Sequence, residues 1–206
     1  IEKGATSFVY LALGTDKQKY AIKLYVNEKA YSTETNLLEQ VKYTKNIVKL
    51  FYHGEGFIER GYSIDSYKLL DNFDINDSVN FAIFEYLNNG ELYNYVILLN
   101  KRFSEDISRK IFYEILKAVE ACHKSGITHN DIKLENILLS NNYNIKLIDF
   151  GFAKKIKNGL ITEITSTKYY APPECYLSSS RGYKGEPADI FSLGVVLFVL
   201  VMGFYP

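Results

Sequence analysis

Around Asn88-Asn89-Gly90 the sequence changes its period, and that change limits the fold more than any other feature of the chain. Before it, Ser7–Leu13 and Tyr20–Tyr25 are rich in Val, Ile, Tyr and Ala, with Gly14 and Asp16 marking a turn, so they read as a β-hairpin. Leu37, Leu38 and Val41 then recur at helical spacing behind Ser32, Thr33 and Glu34, and strand character returns over Asn46–Phe51 and Phe81–Tyr86. Residues 55–80 carry six acidic side chains against two basic ones and read as a surface excursion between strands. After Gly90 helices dominate: Ser104 is placed to cap one whose Ile107, Ile111, Ile115, Ala118 and Val119 hold a single face. The expected class is α+β, with a small β-rich part over 1–87 and a larger, mainly helical part over 88–206.

At 47% hydrophobic residues over 206 positions the chain has ample material for a packed core. Lys and Arg number 24 and Asp and Glu 24, so no overall field draws in nucleic acid or an acidic membrane. Cys122 and Cys175 stand 53 positions apart without a metal-spaced partner, which fits a reducing, intracellular compartment, cytoplasmic or nuclear. The uncharged run Ile190–Pro206 is 17 residues long and headed by Asp189, so it reads as a buried helix rather than a membrane span. Both ends read as cut from a longer chain, and the oligomeric state is left open.

The chemistry concentrates in His129-Asn130-Asp131-Ile132-Lys133-Leu134-Glu135-Asn136, followed thirteen residues later by Asp149-Phe150-Gly151. Phosphoryl transfer asks a protein mainly to position the acceptor and to neutralise charge. Asp131 suits the acceptor's proton, Lys133 the γ-phosphate, and the hard oxygens of Asn136 and Asp149 a magnesium ion. Either motif alone would as soon be a turn; their order and spacing decide.

Taken together, the motifs resemble the eukaryotic protein kinase catalytic domain from the first residue to the last. Ile1–Val9 looks like the glycine-rich loop, Ala21-Ile22-Lys23 like the third-strand lysine motif, and Glu85-Tyr86-Leu87 like the hinge. Ala171–Glu174 looks like the end of the activation segment, and Asp189–Gly194 like the start of the central helix. The resemblance implies a two-lobed fold that uses ATP and Mg²⁺ to phosphorylate protein hydroxyls. It implies nucleotide contacts at Gly4, Val9, Ala21, Lys23, Glu34, Glu85, Leu87 and Leu138, catalytic roles for Asp131, Lys133, Asn136 and Asp149, and magnesium at the last two. Glu34 is the expected ion-pair partner of Lys23, although an interval of eleven residues is short for the family and a solvated acid is the competing reading. Leu38, Leu50, His129 and Phe150 look like the family's regulatory stack, which makes His129 packed core, and Asp189 is expected to tie down the catalytic loop beyond capping its helix. Lys133, with Thr167 ahead of Tyr170, resembles the serine/threonine branch, and Lys133–Asn136 with Phe150–Ala153 the calmodulin-dependent group. Glu91 and Glu135 match positions that favour a basic residue before the acceptor, with Thr167 also facing substrate.

Three features depart from the pattern. Glu2 and Ser7 stand where the first and third loop glycines sit, which is expected to weaken nucleotide affinity without abolishing it. Asn130 replaces the arginine that would pair with an activation-segment phosphate, and Glu163 occupies the usual phosphothreonine position, so activity is expected not to require that phosphate, with Thr162 and Thr165 as the remaining acceptor sites. The sequence given stops at Pro206, short of the helices that would cover the apolar face of Ile190–Phe204 and pair an arginine with Glu174, so this face is expected to be exposed. The altered loop and short helix entry favour a pseudokinase scaffold as the alternative; the full set Lys23, Asp131, Lys133, Asn136 and Asp149 argues for an enzyme.

Overall fold

A computed structural model describes residues 2–3, 7–57, 78–99, 102–163, 167–177 and 182–206. Gly4, Thr165 and most of the acidic 55–80 stretch lie outside these residues. The chain divides into two compact units, one of residues 1–35 and 50–86 and one of 36–49 and 87–206.

The first unit is built on an antiparallel sheet of five strands: β1 (Glu2–Lys3), β2 (Ser7–Leu13), β3 (Lys19–Tyr25), β4 (Leu50–Phe57) and β5 (Ser78–Glu85), in the order β1-β2-β3-β5-β4. The β2–β3 hairpin turns as expected: the Gln18 N–H and the Tyr20 hydroxyl both donate to the Asp16 carboxylate, and Lys17 adopts φ +64°. β4 and β5 extend beyond their sequence signals. β5 lies between β3 and β4, and pairing of Ser78 with Phe57 draws it three residues further toward its start than its apolar run suggests.

Residues 46–49 were expected to be strand of this sheet and are not. Ile47 bridges Leu147 instead, the Val48 N–H donates to the Leu147 carbonyl, and the Leu147 N–H donates to the Asn46 carbonyl. These bonds place 36–49 with the second unit, where a division at 87/88 had been expected to leave them in the first. Helix α1 (Glu28–Val41) also begins earlier than Ser32, because the Asn27 side chain accepts the Ala30 N–H at 2.8 Å and caps it. Leu37, Leu38 and Val41 are buried as their spacing requires.

In the second unit, α2 (Glu105–Lys124) is capped by Ser104, which accepts the Ile107 N–H. Ile115, Ala118, Val119 and Cys122 form its inner face, whereas Ile107, read as part of that face, is 47% exposed in the first turn. Burial pushes the Cys122 thiol up to about 12, so it is a small core hydrophobe and not a nucleophile. Two short antiparallel ladders frame the loops: β6 (Ile127–Thr128) pairs with β9 (Lys154–Lys155), and β7 (Ile137–Leu139) pairs with β8 (Ile145–Leu147). Helix α3 (Pro173–Leu177) follows, then α4 (Gly185–Met202), which ends at Gly203 in the left-handed region. α4 is long and apolar enough to cross a membrane, yet Asp189 and Ser192 are hydrogen-bonded in the interior of the unit, as in a core helix. Only one face is covered: Leu193, Val196, Val199 and Leu200 are buried, while Ile190, Phe191, Leu197 and Val201 are exposed.

Candidate active site

Two groups of side chains carry the chemistry, one in each unit. In the first, Lys23 on β3 is opposite Val9 on β2, and Ala21 lies two residues before it, so period-two alternation puts all three on one face of the sheet. Lys23 Nζ donates to both Glu34 carboxylate oxygens at 2.8 Å, with the two residues 8% and 3% exposed. Glu34 is therefore an ion-pair partner and not a solvated acid. The interval of eleven residues suffices because only Val26 and Asn27 link β3 to α1. Glu34→Gln keeps the shape and one acceptor but discharges the partner of a buried ammonium; it should cost about 1–3 kcal/mol of stability. A fall in urea midpoint at constant m-value would record it. Glu85 ends β5 opposite Tyr20.

In the second unit, the loop between β6 and β7 is held from beneath. The Asp189 carboxylate, fully buried, accepts the His129 N–H at 2.9 Å, the Asn130 N–H at 2.8 Å and His123 Nε2 at 2.8 Å. The role expected of Asp189 is met, and the cap alternative is not, since these donors belong to the loop and α2. His129 is packed core, as read: it is fully buried, donates from Nε2 to the Ile148 carbonyl at 3.0 Å, accepts the Asp131 N–H at Nδ1 and meets the Phe150 ring edge-on at 4.9 Å.

Held this way, the loop presents Asp131 with its carboxylate already oriented. Oδ2 accepts Asn136 Nδ2 and Lys133 Nζ, each at 2.8 Å, and Oδ1 accepts the Thr167 hydroxyl at 3.0 Å. Lys133 Nζ also reaches Thr167 Oγ1 at 3.1 Å. Asn136 commits its amide hydrogens to Asp131, to the backbone carbonyl and the carboxylate, so its Oδ1 is the atom left to ligate a cation. The Ile148 N–H donates to the Asn136 carbonyl, which ties Asp149 to this loop in sequence; Asp149 itself has φ +59° and accepts the Gly151 N–H. Amide and carboxylate oxygens are the donor set that suits Mg²⁺, which keeps waters and substrate phosphates as its other ligands.

Asn130 takes the left-handed conformation at φ +63°, which asparagine tolerates. Its Nδ2 donates to Thr128 Oγ1 at 3.1 Å and to the Phe152 carbonyl at 3.0 Å, so a neutral amide cross-links the loop to the segment after Asp149-Phe150-Gly151.

Of the remaining predicted residues, Leu87 is buried, Leu138 is half-buried and bridged through the backbone to Glu91, and Glu135 sits 3.5 Å from the Tyr170 hydroxyl. Gly4 is outside the described residues. Two participants were missed. His123 supports Asp189 from α2, and Tyr170, read only as a landmark, is 1% exposed, accepts the Leu134 N–H at 3.3 Å and meets Tyr205 at 3.2 Å. Burial raises the Tyr170 hydroxyl well above its ordinary value and keeps it a donor. Only its place three residues after Thr167 signalled it.

A strand lysine paired with a helix glutamate in one unit, and in the other an anchored loop that presents Asp131, Lys133 and Asn136, define the catalytic domain of a protein kinase. The chain belongs to that family, the protein kinase domain, whose profile matches residues 1–206. It is 35% identical over 211 aligned residues to CBL-interacting protein kinase 11 of Oryza sativa subsp. japonica, an alignment covering 99% of this chain and 38% of the rice protein. It is 42% identical over 130 residues to CBL-interacting serine/threonine-protein kinase 2 of Arabidopsis thaliana, covering 61% of this chain and 28% of that one. The chain thus spans about two fifths or less of the length of these relatives.

Proposed function

We propose that this domain transfers the γ-phosphoryl of Mg·ATP to serine or threonine hydroxyls of proteins. The observation that carries the reading is the Asp131 carboxylate, buried and oriented by Asn136, Lys133 and Thr167 before any substrate arrives. A group fixed in this way accepts the acceptor's proton without reorganising. Lys133 adds a cation beside the base for the transferring phosphoryl. Lys23, pinned by Glu34, engages the nucleotide's phosphates, and Asn136 Oδ1 with the Asp149 carboxylate would hold magnesium. The ion, when bound, neutralises charge on the phosphate oxygens.

Thr167, donating to the base and accepting from Lys133, supports serine/threonine specificity, and Glu91 and Glu135 support a basic residue on the amino side of the acceptor. Asn130 supports activity that does not wait on an activation-segment phosphate, because its amide already bonds what a phosphate-bound arginine would otherwise order. Lys154 and Glu163 pair at 2.7 Å in the same region.

The test is transfer of labelled γ-phosphate by the full-length protein to peptide libraries with serine, threonine or tyrosine acceptors, before and after phosphatase treatment. Label on serine and threonine peptides with upstream Arg or Lys, at equal rates in both samples, is expected. Label confined to tyrosine, or none from a folded preparation, would overturn the assignment, and loss of rate after phosphatase would overturn the role given to Asn130.

A further inference from the structure

Within the first unit a row of aromatic side chains runs from the lysine to the edge strand β4, whose His53 shares the lysine's face of the sheet. Tyr25, two residues after Lys23 and therefore on the same face of β3, is 3% exposed and lies under the ammonium, 5.6 Å from Lys23 Nζ to the ring centroid. Its ring meets that of Tyr31 on α1 edge-on, at 5.5 Å and 68°. Tyr31 then reaches β4: its hydroxyl is 2.8 Å from His53 Nδ1, with ring centroids 5.7 Å apart. Burial raises the Tyr31 hydroxyl above its ordinary value, so it stays a neutral phenol, and one proton lies between it and Nδ1 across this 2.8 Å contact.

Tyr31 stands three residues before Glu34, on the same side of α1 and about 4.5 Å along its axis. Nothing in the Lys23–Glu34 ion pair alone fixes how α1 is rotated, because a carboxylate on a flexible stem can meet an ammonium from many helix orientations. The Tyr31–His53 bond supplies that second point, and the Asn27 cap at the end of a two-residue link supplies a third. We infer that Tyr31 and His53 are positioning residues for nucleotide phosphate binding: with Tyr25 they form a clasp that holds α1 at the rotation in which Glu34 keeps Lys23 extended.

This rests on the reading of Lys23 as the phosphate-binding lysine, and the probes separate the two. Binding of Mg·ATP and of adenosine to the full-length protein would be measured by calorimetry for the parent, Tyr31→Phe and His53→Phe, with melting temperatures alongside. Tyr31→Phe keeps the ring and removes the hydroxyl; His53→Phe keeps a ring and removes Nδ1, so either change ends the bond. Each should raise the Kd for Mg·ATP by roughly three- to tenfold, the worth of one such hydrogen bond, and leave that for adenosine unchanged, because adenosine has no phosphates for Lys23 to hold. An unchanged Kd for Mg·ATP in both variants would overturn the clasp while leaving the kinase reading intact. Equal losses for Mg·ATP and adenosine would overturn it too, since they would show ordinary core packing. A parent protein that binds adenosine and Mg·ATP equally would remove Lys23 from phosphate binding, and the clasp with it.

Discussion

Replacing Asp131 with asparagine should lower kcat by about 10²–10⁴-fold, the usual worth of a positioned general base, with KM for ATP little changed. Asparagine keeps the volume, and its oxygen can still accept one of the bonds now made by Asn136, Lys133 and Thr167. What it cannot do is take a proton. The exchange therefore isolates basicity from orientation, where alanine would remove both. Thr167→Val is the matching control, since it removes one of three groups that orient the carboxylate and leaves the base itself; its loss should be nearer tenfold. Because the three groups act on one carboxylate, the double variant should be little worse than Asp131→Asn alone. Steady-state kinetics on the best peptide substrate would decide. A kcat within tenfold of the parent for Asp131→Asn would mean that the carboxylate only orients the hydroxyl, and that its proton leaves by another path.

The parts of this site that could be read in advance are those carried by short runs of sequence. Asp131, Lys133, Asn136 and Asp149 fall at a spacing no ordinary turn needs, and the pairing of Lys23 with Glu34 followed from the helical phase of Leu37 and Leu38. What stayed hidden was set by partners distant in the chain. His123 and Asp189 are 66 residues apart, and nothing periodic in α2 distinguishes a histidine that supports a buried carboxylate from one facing water. Tyr31 and His53 are 22 apart, on a helix and a strand whose patterns each make sense alone. The start of α1 was misplaced for a different reason: Ser32 and Thr33 are good caps by type, but Asn27 reached the free N–H groups first because β3 ends only two residues earlier. Strand character at Asn46–Phe51 was real in composition, and the competition between β5 and Leu147 for that backbone was settled by tertiary hydrogen bonds.

Asp189→Ala should be among the most damaging single changes outside the reacting groups, costing about 3–5 kcal/mol, as when one partner of a buried charged network is removed. The carboxylate satisfies two loop N–H groups and His123 Nε2 in a place that water does not reach, and all three lose their acceptor together. One of those N–H groups belongs to Asn130, whose left-handed conformation at φ +63° is held by this backbone bond and by its side-chain amide on the Phe152 carbonyl. At about 2–4 °C per kcal/mol for a domain of this size, the melting temperature should fall by about 6–20 °C. The identity of the replacement separates two explanations. A carboxylate needed for only one of these bonds could be exchanged for asparagine at little cost, since the amide oxygen accepts as well. An anchor for the loop cannot, because asparagine must turn an NH₂ toward at least one of the three donors, and the His129 and Asn130 N–H groups are buried with it. Asp189→Asn should therefore lose most of the stability that alanine loses, and with it kcat, since the same two N–H groups set the path of the chain into Asp131. Near-parental melting in Asp189→Asn would show that a single amide oxygen is acceptor enough and leave the position of the catalytic loop to His129 and Phe150 packing.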